Sequence, residues 1–466
     1  MGGRQHPSLR RARTVPDRTG LRSGRPAGPD RARSADPVGI PVAGRDTEYR
    51  KTVLPSGIRV VTEALPGVRT VALGIWVETG SRFEPQGWSG IAHFTEHMMF
   101  KGTRRRTAQR IAEEADSLGA QLNAFTDREH TCYYVRVLSE HLPKVTDLLA
   151  DMLTGSLFEE EAVECERQVI LEEIKMYEDS PDDLVQDLFL ETVWAHDSLG
   201  RPVIGFRDTV EALRRPDFVE FVSHEYRRPR LLVAAAGDVD HDRVVEQTAE
   251  LLSPLPEGAQ PRETYAPSVS RNATYRAKDT EQVHLCFGYP GLPQGHPDRY
   301  VLSVLDHLTG GGMSSRLFQE VREKRGLAYS VGTVSVMYRD AGAFAVYAGT
   351  SPERAREVLE VCLRELDRLR QEPVPEEELR RAKEALKASL MLSLESTASR
   401  MFFLSRAELY FGRRVSPDEV LQELEAVTPE RLQALAQKLV THRPALAAVG
   451  PADAEATTRG ALEAVA

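Results

Sequence analysis

Apolar and polar positions alternate from about Glu48 onward in a pattern of short strands between amphipathic helices. Ile58–Ala64 and Thr70–Glu78 read as strands, broken by Pro66-Gly67 and Gly80. A helix is expected over Ser89–Met99. A second starts at Thr107, whose hydroxyl suits a cap, and runs through Leu118 to Gly119. Gln121–Thr126 and Thr131–Val137 form a hairpin. Helices follow from Leu142, Glu159 and Pro181, and Leu231–Gly237 is a short buried strand. The stretch Ser253 to Ser270, rich in Pro, Gly and Glu, reads as a linker, with its centre at 256–270.

Beyond the linker the order repeats. A strand at Val283–Tyr289 leads to a helix at Asp298–Leu308. A helix ending in Lys324-Arg325-Gly326 leads to strands near Tyr329–Val336 and Ala341–Ala348. Helices start at Pro352 and Pro375, and a last strand lies near Ala445–Gly450. The repetition implies a duplicated α+β unit: two halves, 48–255 and 271–466, each an antiparallel-rich sheet packed with helices.

Composition narrows the class. The chain of 466 residues is 41% hydrophobic and 28% charged, which fits globular domains with ample core. A net charge of −10 argues against a nucleic-acid binder and leaves room for basic substrates. Residues 1–45 run the other way, with ten Arg against three acids among many Pro and Gly. Such a segment buries no core, so residues 1–47 are expected to be a disordered tail. Cys132, Cys165, Cys286 and Cys362 are scattered without a C-x-x-C pair, as in a reducing compartment. No apolar run reaches membrane-spanning length, and the N-terminus lacks the apolar core of a secretory signal. We expect a bacterial cytoplasmic protein, in preference to one of the mitochondrial matrix, with no membrane or nucleic-acid partner.

The candidate chemistry lies in His93-Phe94-Thr95-Glu96-His97. On a helix, residues four apart share a face, so both imidazoles reach one metal ion. Glu96 is one turn from His93 and next to His97, where a carboxylate meets a metal-activated water without binding the metal. This is the H-x-x-E-H order, the reverse of H-E-x-x-H. A catalytic zinc needs a third protein ligand and one open position. The helix from Glu159 offers Glu164, Glu166, Glu172, Glu173 and Glu178, and spacing alone does not choose among them. At the matching place the second half has only Leu305-Asp306-His307.

His93-x-x-Glu96-His97, the E-R-x-V-x-x-E run reaching Glu173, Asn123-Ala124-Phe125-Thr126 and Gly310 through Leu317 together resemble the M16 zinc metallopeptidases, which include mitochondrial processing peptidases and pitrilysin. The resemblance covers nearly everything from 48 to 450. It implies one Zn2+ per chain on His93, His97 and Glu173, with Glu96 as the base and Glu166 as a supporting acid. It implies a peptide or unfolded protein substrate paired along Asn123 and Ala124, with Phe100 lining a pocket. It implies that Arg322 and Tyr329 contact the substrate backbone near the metal, in cis or in trans. It further implies two halves facing each other as a half-clamshell, and a homodimer or a heterodimer with a related subunit. Asp183 is the third residue of a helix that Ser180 caps, and Asp187 is one turn on. In the processing peptidases, acids at these places receive an arginine before the cut; the plainer role for Asp183 is a capping box with Ser180. The expected activity is zinc-dependent endopeptidase, with a non-catalytic structural or partner subunit as the alternative.

Overall fold

The computed structural model describes residues 47–258, 262–441, 443–456, 458 and 460. The tail expected over 1–47 lies outside them except for its last residue. The first half runs β1 (Glu48–Val53), β2 (Arg59–Ala64), β3 (Thr70–Val77), α1 (Ile91–Met98), α2 (Ala108–Ser117), β4 (Gln121–Thr126) and β5 (Thr131–Leu138). It continues through α3 (Leu142–Gly155), α4 (Glu160–Glu178), α5 (Pro181–Val193), α6 (Arg207–Ala212), α7 (Arg215–Glu225), β6 (Leu231–Gly237) and α8 (His241–Leu251). The second half runs β7 (Ala273–Ala277), β8 (Val283–Pro290), α9 (Arg299–Gly310), β9 (Ala328–Met337), β10 (Gly342–Thr350) and α10 (Ala355–Gln371). It ends with α11 (Glu376–Ser393), α12 (Thr397–Phe411), α13 (Pro417–Glu425), α14 (Pro429–Leu439) and β11 (Ala445–Gly450).

The strands form two sheets, β1-β2-β6-β3-β5-β4 and β7-β11-β8-β10-β9. With β1 set aside, the two orders are the same. β2 pairs with β6 and β7 with β11 in parallel; all other neighbours are antiparallel. This is the duplicated α+β architecture that the repeated element order implies. One expected element differs: the helix ending at Gly326 is a π-helix over Phe318–Glu323. Two polar strands at sheet edges, β1 and β7, carry no alternation strong enough to read from sequence.

Each sheet is covered on both faces, which is why β3 (TVALGIWV) and β6 (LLVAAAG) are apolar along their length. On one face of the first sheet, Leu73, Ile75 and Tyr133 pack with Phe94, Met98, Leu149 and Ile170 from α1, α3 and α4. On its other face, Ala72, Trp76, Leu232 and Ala234 pack against Met401, Leu404 and Leu409 of α12. The second sheet mirrors this: Val185, Phe189 and Val193 of α5 pack on Cys286, Ala345 and Ala447. The halves therefore exchange one helix each, and the two exchanged helices are equivalents in the duplication.

The halves also meet where the tips of the β4–β5 and β9–β10 hairpins touch. Glu129, buried, accepts from Arg82 (2.8 Å), Tyr410 (2.9 Å) and the Arg339 amide (3.1 Å). Arg82 also donates to Asp340 at 2.7 Å. No helix among the described residues is long and apolar enough to cross a membrane.

Candidate metal centre

α1 is short because it starts at Gly90, whose φ of +96° only glycine adopts easily, and ends beyond Met98. Its sequence puts Ile91, Phe94 and Met98 into the first core and leaves His93 and His97 facing α4. α4 buries Val163, Ile170 and Ile174 and turns Glu166 and Glu173 toward the imidazoles. Nε2 of His93 and Nε2 of His97 each lie 3.8 Å from the same oxygen of Glu173. The rings are 4.6 Å apart, centre to centre.

One ligand atom from each of His93, His97 and Glu173 falls within 4.8 Å of the other two, the only such group of three or more potential ligands among the described residues. Two imidazole nitrogens and a carboxylate oxygen are a ligand set that suits zinc. Zinc–ligand bonds of ~2.0–2.2 Å require only a small contraction of this group. Among the glutamates that spacing left open, Glu173 is thus the one whose carboxylate lies between both histidines.

Glu96 stands beside this group, 8% exposed, and its Oε2 accepts from the Thr126 hydroxyl at 2.6 Å. Burial pushes the Glu96 carboxyl up to about 7, against the pull of Thr126 and His97. Burial, with neighbouring His97, drives the His93 imidazole down to about 3, so it is neutral and free to bind a cation. Burial also lowers His97, but Glu166, Glu173 and Glu96 outweigh it and hold its pKa above the usual value. Nδ1 of His97 is 2.8 Å from Glu166, and Lys101 holds the other oxygen of that carboxylate. Burial raises the Glu166 carboxyl, yet His97 and Lys101 bring it below its ordinary value. Glu166 thus fixes the ring whose far nitrogen faces the other ligands, an arrangement common behind metal-binding histidines.

The remaining expected residues scatter around this group. Asn123 and Ala124 lie on β4, which ends the first sheet and pairs only with β5. Phe100 packs on the first core, with its ring 6.5 Å from that of Tyr133. Asp183 and Asp187 lie in the first turns of α5, which directly follows α4. Both already have partners. Asp183 accepts from the Ser180 hydroxyl at 2.7 Å, while Asp187 accepts from buried Arg128 at 2.9 Å. Ser180 occupies the cap position of α5 without its hydroxyl capping a helix amide. Arg322 stacks over Tyr329 at 4.7 Å and over Phe318 at 4.8 Å, and Tyr329 is 78% exposed. Among the described residues, no hydrogen bond or ring contact joins either to His93, Glu96 or His97.

Sequence reasoning did not assign roles to Thr126 or Lys101. Lys101 follows His97 by four positions, the spacing that pairs side chains on one face, and that was its signal. Thr126 stood in the Asn123–Thr126 run that carries the resemblance, but nothing local announced its bond to Glu96, 30 residues away.

The metal helix and its surroundings match known proteins. Residues 59–206 match the family described as Insulinase (Peptidase family M16), and residues 212–386 match Peptidase M16 inactive domain. An uncharacterized zinc protease of Streptomyces coelicolor is 44% identical over 416 residues, covering 86% of this chain and 89% of the relative. The uncharacterized zinc protease YmxG of Bacillus subtilis is 41% identical over 396 residues, covering 85% and 97%. The crystal structure of a protease from Helicobacter pylori shares the fold, with a TM-score of 0.81 and 24% identity over 87% of this chain and 100% of that one. By this kinship, this chain belongs to the M16 family of peptidases.

Proposed function

We propose that this protein is a zinc endopeptidase that holds one zinc per chain on His93, His97 and Glu173 and cleaves peptides or unfolded segments in extended form. The observation that carries the reading is the convergence of those three ligand atoms within 4.8 Å beside a buried carboxylate, Glu96, that binds none of them. When bound, zinc supplies a Lewis acid that acidifies a water and polarises the scissile carbonyl. Glu96 takes a proton from the attacking water and returns it to the leaving nitrogen. Thr126 donates to Oε2 of Glu96 and holds the carboxylate in place. Glu166 keeps His97 in one ring orientation throughout.

An extended substrate adds to the open edge of β4 along Asn123 and Ala124, next to Phe100, with main-chain hydrogen bonds giving affinity. Asp183 and Asp187 give this cleft a negative rim on the side of α5, which favours arginine near the cut. Arg322 and Tyr329 complete the site from a second chain. Tyr338, at the tip of the β9–β10 hairpin, is about 30 Å along β9 from Tyr329 at ~3.3 Å per residue. Tyr329 is 78% exposed beside Arg322, which leaves it open to a second chain. The working unit is thus a dimer of this chain, or of this chain and a relative, in the bacterial cytoplasm. The test is hydrolysis of a basic, partly unfolded peptide with and without a chelator, alongside metal analysis. Activity that the chelator abolishes and zinc restores is expected; activity indifferent to the chelator overturns the reading.

A further inference from the structure

The helix that carries His93, Glu96 and His97 has no cap of its own. Gly90 precedes it in a left-handed conformation, and no side chain within α1 or at its cap position satisfies the first amides. The acceptors come from Glu84, in the segment between β3 and α1. Its Oε2 takes the Gly90 amide at 2.9 Å and its Oε1 takes the Ala92 amide at 2.8 Å. Glu84 is 4% exposed.

The same helix start is held from a third direction. Arg201 donates to the Glu84 carbonyl at 2.8 Å, and Thr209 donates to the Ser89 carbonyl at 2.6 Å. Gly205 packs so closely that a Cβ there would lie 2.4 Å from the Ser89 carbonyl oxygen. The helix that continues this segment also reaches α4, where Arg167 donates to the carbonyl of Val210. One set of contacts therefore joins the start of the histidine helix to the helix that bears Glu166 and Glu173. Ala92, whose amide Glu84 holds, is the residue immediately before His93.

We propose that Glu84 is a positioning residue for the metal centre: by holding the start of α1 against the 201–209 segment, it sets the distance from the two imidazoles to Glu173. The inference rests on the zinc reading above and adds to it a residue that touches neither metal nor substrate. Its consequence is specific. Loss of one of the two acceptors tilts α1, and the imidazole nitrogens move relative to the carboxylate on α4. Zinc binding then weakens because the ligands no longer converge.

The test uses full-length protein and three variants. Glu84→Gln keeps the side-chain shape but turns one acceptor into an amide that faces a backbone N–H. Thr209→Val leaves Glu84 in place and frees the Ser89 carbonyl. Glu408→Gln alters another buried carboxylate, 2% exposed, which pairs with Lys51 on the far side of the first sheet. Zinc affinity is measured by competition with a chelator, ligand geometry by the visible spectrum of the Co2+-loaded protein, and folding by thermal unfolding of the metal-free protein. Glu84→Gln is expected to weaken zinc binding ~10–100-fold and to change the Co2+ spectrum. Thr209→Val should move both readouts the same way by a smaller step. Glu408→Gln should lower the unfolding temperature and leave zinc affinity and spectrum as in the wild type. Wild-type affinity and spectrum in Glu84→Gln would overturn the inference, as would equal losses in Glu84→Gln and Glu408→Gln. If Glu84→Gln does not fold, Thr209→Val decides by the same two readouts. Failure of the wild type to bind zinc would instead overturn the zinc reading itself.

Discussion

Thr126 donates to Oε2 of Glu96 at 2.6 Å, a short bond to the carboxylate we propose as the base. Hydrogen bonds to charged groups contribute about 1.5–3 kcal/mol, so Thr126→Val should lower kcat ~10–100-fold with zinc content unchanged. Thr126→Ser keeps the hydroxyl and should keep most of the rate. A Thr126→Val enzyme with wild-type kcat would show that the base holds its place without it. At this scale, what the sequence reveals depends on how local a contact is. His93, Glu96 and His97 are legible because one helical turn joins them. Glu173 is not separable by spacing from the other four candidates on its helix, Glu164, Glu166, Glu172 and Glu178, and only resemblance singled it out. Thr126 with Glu96, and Glu84 with the Ala92 amide, are contacts made by tertiary folding, and residue type alone does not announce them.

The exchanged helices carry the next scale. Met401 on α12, fully buried, packs into the face of the first sheet where Gly74 leaves room for the Trp76 ring. A core methionine cut to alanine loses roughly 2–5 kcal/mol. Met401→Ala should therefore destabilise by that amount in denaturant titration, although the residue lies in the second half and its contacts in the first. The two halves should still unfold in one transition, since each depends on a helix of the other. A loss below ~1 kcal/mol, or two separate transitions, would mean that α12 is not part of the first half's core. The strands with strong apolar runs, β3, β6, β8 and β11, could be read from sequence because burial on both faces forces their composition. β1 and β7 could not, as edge strands without a run of large apolar residues. α12 was also missed, although Ser396 caps it and Gly412 ends it in a left-handed turn. The exchange itself is invisible in a linear pattern, because an apolar stripe does not say which sheet it covers.

At the scale of the molecule, the same fold occurs twice with different chemistry. The helix that carries the metal motif in the first half is matched by α9, where Asp306 and His307 stand and no third ligand joins them among the described residues. The network of Arg82, Glu129, Asp340, Arg339 and Tyr410, centred on buried Glu129, ties the two hairpin tips together, so the halves are held at one angle. If Tyr329 then serves the metal centre of another chain, two separately impaired chains can repair each other. After subunit exchange, an equal mixture of Glu96→Gln and Tyr329→Phe chains should reach roughly a quarter of wild-type activity, since half the dimers are mixed and each has one complete site. A mixture no more active than the average of its components would place Tyr329 in cis or outside the site. The central claim, that His93, His97 and Glu173 hold zinc while Glu96 moves the proton, has a more direct test. Purified Glu96→Gln should carry about as much zinc as the wild type and cleave no peptide. Cleavage at the wild-type rate, or loss of the zinc along with the activity, would contradict it.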